Sequence, residues 1–138
     1  MEYKFIFDDK EYVLSENNLE YFVNDEENEL GNLEVSDILN LLKNSDEVDF
    51  QSAYYEACCS NCKAGKEEKK KVFDFLEYYF YAYGKDGKFI TSSIDDEYDK
   101  KSFTRLNMEG IVDTSYLVTV MVCRHCGTYA IEIEEFEV

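Results

Sequence analysis

The alternation of apolar and polar side chains is clearest in the C-terminal part of the chain. Every second residue over 116–122 is apolar, and Leu117 and Met121 between them are apolar too. A strand that is apolar on both sides belongs in the middle of a sheet. After a turn at Cys126-Gly127, apolar and polar residues alternate over 129–134, and the phase then shifts. We predict a central strand, a turn, and a second strand that bulges or ends near residue 134.

Two further hairpins are predicted. Over 3–14, two apolar runs flank the polar turn DDKE. Residues 69–94 fit either a helical stripe or strands, because five of the six residues over 78–83 are aromatic and aromatic residues favour strands. Asp86-Gly87 is typical of a tight hairpin turn. We therefore interpret this segment as two strands around Asp86-Gly87, preceded by a helical turn.

Three segments have helical features. The acidic stretch 16–34 carries apolar residues three and four apart, which predicts a short helix through Leu19, Phe22 and Val23. A second helix is predicted from a cap at Ser36 to the polar residues 44–46. A third is predicted between a cap at Ser102 and Gly110. With the strands, these elements predict an α+β fold, in which an antiparallel sheet packs with two or three short helices.

The composition is that of a globular chain. Hydrophobic residues make up 45% and aromatic residues 16% of the 138 positions, which is enough to bury a sizeable core. There is no internal repeat and no Gly/Ser-rich linker, and proline is absent. We expect a single domain over 1–138.

The charge narrows the class of partner. With 31 acidic and 14 basic residues, the formal net charge is −17. Such a chain repels phosphate backbones and attracts basic groups, so we expect no nucleic-acid partner and a basic protein as the partner class. The acids are also explained by the solubility that they confer. The N-terminus does not resemble a signal peptide, and no run approaches the roughly 18 apolar residues of a membrane helix. The expectation is a soluble cytoplasmic protein without a membrane partner, and the oligomeric state stays open.

The cysteines carry the most specific chemistry. Four of the five form two C-x-x-C pairs, C-S-N-C and C-R-H-C-G. Two intervening residues let the chain turn so that both sulfurs reach one tetrahedral ion at about 2.3 Å. Gly127 allows a left-handed exit from the second turn, and Gly65 is a looser counterpart after the first. We predict one zinc ion, which staples the domain together and is held by Cys59, Cys62, Cys123 and Cys126.

These pairs resemble the zinc-ribbon class, in which two such turns at hairpin tips face each other across a zinc ion. The resemblance covers about 53–65 and 116–133 and is most specific in Val-Cys-Arg-His-Cys-Gly-Thr-Tyr. It departs from a compact ribbon because residues 63–122 separate the pairs. The resemblance implies the geometry of the site and a structural role, and it does not imply a nucleic-acid function.

Three other interpretations of the cysteines compete with zinc. Disulfides suit exported proteins, and they would leave an odd cysteine. A redox C-x-x-C needs a helix N-terminus, whereas Cys123 is predicted to lie between strands. An iron–sulfur cluster uses four cysteines, but the spacing matches no common ferredoxin run. Cys58 is interpreted as a partly buried small side chain, and His125, the only histidine, as an exposed residue of the turn.

Four thiolates close the coordination sphere, so the predicted zinc is structural and not catalytic. No phosphate-binding loop, G-x-S-x-G, H-E-x-x-H or EF-hand spacing is present. The tyrosines of 78–83, with Tyr54 and Tyr55, form either a protein-binding surface or part of the core. The leading hypothesis is a non-enzymatic zinc-binding protein whose acidic, tyrosine-rich surface engages a protein. The alternative is a thiol-redox or metal-responsive protein that releases zinc on oxidation.

Overall fold

The computed structural model describes residues 1–137, and its strands form two β-sheets. In chain order the elements are β1 (Glu2–Phe7), β2 (Lys10–Ser15), a 3-10 turn (Glu16–Asn18), β3 (Leu19–Val23), α1 (Val35–Asn44), β4 (Gln51–Tyr55), β5 (Phe73–Lys85), β6 (Lys88–Ser92), α2 (Phe103–Met108), β7 (Thr114–Cys123) and β8 (Tyr129–Glu135). The β1–β2 hairpin is a sheet of its own. The other strands form a six-stranded sheet in the order β3-β8-β7-β5-β4, and β6 also pairs with β5.

The predicted α+β fold class is wrong. Strands account for 42% of the residues and helices for 14%, so the chain is mostly β. The segment predicted to be a helix through Leu19 and Phe22 is a short 3-10 turn followed by β3, which runs parallel to β8. A bulge between Leu19 and Tyr21 lets Leu19 and Phe22 both pack against the core. The bulge therefore produces the spacing of three residues that imitated a helix.

Most of the remaining local predictions are confirmed, but the helical turn predicted before β5 is wrong, because residues 56–72 contain turns and no helix. β5 and β6 flank Asp86-Gly87, whose φ angles of 53° and 78° are those of a type I′ turn. α2 follows its predicted cap, Ser102. α1 was predicted to follow a cap at Ser36, but it begins two residues earlier. Its capping residue is Glu34, whose N–H donates to the Asp37 carboxylate at 2.8 Å. Among the described residues, no helix is long and apolar enough to cross a membrane.

The main core lies on one face of the six-stranded sheet, under α1 and the β1–β2 hairpin. Tyr116, Val118, Val120 and Val122 of β7 are all buried there, with Leu76 and Phe80 of β5 beside them. α1 contributes the three buried side chains of Ile38, Leu39 and Leu42. The stacked rings of Phe5 and Phe50, with centroids 4.2 Å apart, join the hairpin to the rest of the core.

The opposite face of this sheet is only partly covered, and we call it the open face. Residues directly paired across strands point to the same side, so the pairing register defines its members. They include Tyr21, Val23, Gln51, Ala53, Tyr55, Phe73, Phe75, Glu77, Tyr79, Tyr81, Leu117, Thr119, Met121, Ala130, Glu132 and Glu134. Near one end, Tyr83 packs with Leu106 of α2 and Val112 in a second small core. The cysteine turns lie at the other end.

Candidate metal centre

The two C-x-x-C pairs form turns of the same conformation although their sequences differ. In the first, the Lys63 N–H donates to the Cys59 carbonyl at 2.8 Å; in the second, the Gly127 N–H donates to the Cys123 carbonyl at 3.0 Å. The residue after each second cysteine has a left-handed backbone, with φ of 53° at Lys63 and 79° at Gly127. Lys63, and not Gly65, is therefore the counterpart of Gly127.

The turns bring the four predicted sulfurs together. The Sγ atoms of Cys59 and Cys126 are 3.6 Å apart, and those of Cys62 and Cys123 are 3.7 Å apart. All four lie within 4.8 Å of one another. Four sulfurs at 2.3 Å from a tetrahedral ion are separated by about 3.8 Å. The cysteine group is therefore close enough to hold one metal ion.

Backbone N–H groups of the turns point at the sulfurs. The N–H of Ala64 bonds the sulfur of Cys62, and the N–H of Thr128 bonds the sulfur of Cys126. Each donor lies two residues after its cysteine, so the two turns match in this respect too. Such hydrogen bonds stabilise thiolates and orient them toward a metal.

The thiols differ in how readily they ionise. Burial raises the pKa of the Cys123 thiol to about 12, since a buried thiolate lacks solvation. Burial also disfavours ionisation of Cys126, but hydrogen bonds from the Thr128 hydroxyl, the Thr128 N–H and the Asn61 amide lower the pKa of that thiol to about 6. A cation bound by the four sulfurs would supply the positive charge that a Cys123 thiolate requires.

The β1–β2 hairpin and the 3-10 turn after it support the second cysteine turn by donating hydrogen bonds to carbonyl groups of that turn. The Lys10 ammonium donates to the Arg124 carbonyl at 2.8 Å, and the Tyr12 hydroxyl donates to the same oxygen at 3.0 Å. The Asn18 amide donates to the Gly127 carbonyl at 3.1 Å. Sequence reasoning missed these supporting residues, because they lie more than 100 positions from the turn and share no motif with it.

Two residues considered from the sequence lie outside the sulfur group. Cys58 is half-buried and is not among the four clustered cysteines. His125 is exposed in the second turn. The two tyrosines of β4 point to opposite sides: Tyr54 is 62% exposed, whereas the ring of Tyr55 packs edge-on against Phe75 on the open face.

Comparison with known proteins places these features in one family. The family described as "Protein of unknown function (DUF3785)" matches residues 3–138. The chain belongs to this family. No curated protein and no solved structure matches the chain. The DUF3785 match includes both cysteine turns and the supporting hairpin, so the candidate metal centre lies within the part of the chain shared with the family.

Substitutions at Lys63 and Gly127, the left-handed residues of the two turns, test whether the turns are equivalent. We expect Lys63→Gly to raise the free energy of unfolding by about 0.5–1 kcal/mol, since glycine adopts positive φ without steric cost. Gly127→Ala is expected to lower it by about 1 kcal/mol. A Cβ at Gly127 would meet no atom within 4 Å, so the cost comes from the backbone alone. Urea titration of the metal-loaded protein measures both changes. A loss of stability in K63G would contradict the equivalence of the two turns.

Proposed function

We propose that Cys59, Cys62, Cys123 and Cys126 bind one zinc ion and that this zinc is structural. The observation that carries the proposal is the pair of short sulfur–sulfur distances, 3.6 and 3.7 Å, between the two turns. Thiolate ligands in a tetrahedral arrangement suit zinc. Four protein ligands leave no coordination position for water or substrate, so the ion does not act on a substrate.

The zinc ion would hold the long β4–β5 connection, residues 56–72, against the end of the sheet. This connection contains turns but no helix or strand, and its side chains are largely exposed, so it has little core of its own. Shared coordination of the zinc with the β7–β8 turn would compensate for the small number of buried side chains in this connection. Structural zinc contributes about 10–16 kcal/mol of apparent binding energy in finger peptides. In this proposal, residues 1–138 form a single zinc-stapled domain.

Metal analysis tests this assignment. The purified protein is expected to contain one equivalent of zinc, and Co²⁺ substitution is expected to give the strong thiolate charge-transfer and d–d bands of a tetrahedral four-sulfur site. Mild peroxide treatment should leave the zinc bound. Zinc release with oxidation of the cysteines would favour the thiol-redox alternative instead. A folded protein with four free thiols and no metal would overturn the proposal.

We propose further that the open face binds a basic protein partner. It combines exposed tyrosines with carboxylates: Tyr79 is 53% and Tyr21 43% exposed, and Glu132 and Glu134 are exposed beside them. None of the members named above is a lysine, arginine or histidine; Lys85 lies on the same side of β5 but beyond Tyr83, at the end away from the cysteine turns. Tyrosine provides a large contact area with a polar tip, and the net charge of −17 adds long-range attraction for a basic partner. The same charge opposes binding to nucleic acid.

A pair of peptides of opposite charge tests this interaction. A twelve-residue peptide of alternating lysine and glycine should bind the zinc-loaded chain and perturb amide resonances of β7 and β8. The corresponding glutamate–glycine peptide should not bind. Binding should weaken as salt is raised, because surface charges are screened. Equal binding of the two peptides, or binding only to a DNA or RNA oligonucleotide, would contradict the proposal.

A further inference from the structure

A cavity of about 440 Å³ opens beside the metal centre at one end of the open face. Its volume falls within the roughly 300–1,000 Å³ of pockets that hold small ligands. Phe75, Met121 and Ala130 line its apolar part, and the exposed carboxylate residue Glu132 lies at its edge with Glu20. The cavity therefore has apolar walls and an acidic rim.

Hydrogen bonds to carboxylates hold two of the three tyrosines of this cavity by their hydroxyl groups. Tyr21 donates to Glu132 at 3.1 Å, and Tyr55 donates to Glu77. Each bond fixes the tip of a tyrosine at a carboxylate and leaves the rest of the ring to line the cavity. The negative face of an aromatic ring attracts cations, and the neighbouring carboxylate strengthens that attraction.

The carboxylates at the cavity form no ion pair within the described residues. None of the residues that line it is a lysine, arginine or histidine. Glu20, Glu77 and Glu132 take part in none of the ion pairs formed by the described part of the chain. Glu20 instead accepts a hydrogen bond from Ser60, which keeps its carboxylate at the cavity. A ligand with a positive charge would supply the missing partner.

We propose that this cavity receives a lysine side chain of the basic partner, an inference that rests on the protein-binding role proposed for the open face. The four-carbon stem of lysine lies against Phe75, Met121 and Ala130. Its ammonium reaches the acidic rim formed by Glu20 and Glu132, where Tyr21 and Tyr55 present their rings. Lysine fits because it buries its stem on apolar surface and keeps its charged end at a polar boundary.

The test uses Nα-acetyl-lysine methylamide and its norleucine counterpart, which has the same stem without the charge. Both are titrated into the zinc-loaded full chain, and the methyl resonances of Met121 and Ala130 are followed by NMR. The lysine compound is expected to bind at this cavity about five-fold more tightly than the norleucine compound. Equal affinities, or shifts confined to another surface, would overturn the inference.

Two matched variants test which carboxylate binds the ammonium group of the lysine compound. Glu132→Gln is expected to weaken binding of the lysine compound about three- to five-fold, as for loss of one exposed ion pair. Glu134→Gln removes the same charge from the same face of β8, but Glu134 does not line the cavity, so its effect should stay below about two-fold. Met121→Lys places an ammonium of the chain itself in the cavity and is expected to abolish binding. Equal effects of E132Q and E134Q would overturn the assignment.

The lysine–glycine peptide separates this inference from the proposed function. Weaker peptide binding in E132Q than in E134Q supports both. Peptide binding that is equal in the two variants would overturn the cavity as the lysine site and leave the protein-binding role standing. Binding of the lysine compound in the cavity without any binding of the peptide would support the cavity and overturn the proposed partner.

Discussion

Cys126→Ser is expected to abolish tight zinc binding and to lower the free energy of unfolding by at least about 3 kcal/mol. Serine keeps the size of the side chain but replaces a thiolate with a weakly coordinating hydroxyl. The remaining three sulfurs would form an open site of much lower affinity. The β4–β5 connection then loses its attachment to the β7–β8 turn. Zinc content by mass spectrometry and urea titration by circular dichroism measure the two effects.

Cys58→Ser is the matched control for that experiment. Cys58 adjoins Cys59 in the chain but is not in the sulfur group, so this variant should keep one equivalent of zinc. Its stability should change by less than about 1 kcal/mol, because the side chain is only half-buried. Full zinc content and wild-type stability in C126S would refute the metal centre. Loss of zinc in C58S would show that the wrong cysteines had been assigned.

Phe80→Ala is expected to lower the free energy of unfolding by about 3–5 kcal/mol. Phe80 lies in the middle of β5, is 2% exposed, and packs beside Tyr78 with ring centroids 6.3 Å apart. Removing the ring would leave a cavity between the sheet and the layer formed by α1 and the β1–β2 hairpin. That layer carries Lys10 and Tyr12, so we also expect weaker support of the second cysteine turn.

Tyr79→Ala provides the comparison within the same strand. Tyr79 points to the open face and is 53% exposed, so its loss should cost less than about 1 kcal/mol. Chemical denaturation of both zinc-loaded variants against wild type gives the contrast. Similar losses for the two variants would contradict the assignment of one face of β5 to the core and the other to solvent.

The candidate metal centre and the cavity beside it share residues. Cys59 and Cys123 belong to the sulfur group and also line the cavity. Thr128 lines it too, and its hydroxyl lies 3.1 Å from the sulfur of Cys126. A structural metal would therefore fix one wall of the proposed lysine site, and loss of the metal would be expected to disturb that site.

Features with short-range causes were predictable from the sequence. The Asp86-Gly87 turn follows from backbone preferences of those two residues, and the buried positions of β7 follow from the alternation over 116–122. The spacing of the two C-x-x-C pairs was enough to expect one group of four sulfurs. Each of these depends on a few neighbouring residues, so a local pattern contains the necessary information.

Other features depend on contacts between distant parts of the chain. Leu19 and Phe22 belong to a strand because this segment pairs with the edge of β8. A bulge in the strand turns both side chains toward the core. Lys63 adopts a left-handed backbone that its residue type disfavours, at the end of a turn whose cysteines lie next to those of the second turn.

The sequence by itself therefore determined the cysteine group, most strands and the acidic character of this chain. Only the tertiary structure decided the mostly-β architecture, the support of the second turn by Lys10, and the position of a cavity between Tyr21 and Tyr55. The physical reason is that strand pairing and side-chain packing join residues far apart in sequence. The energy of each such contact depends on the residue that is contacted as much as on the residue itself. A local sequence pattern does not identify which distant residue that will be.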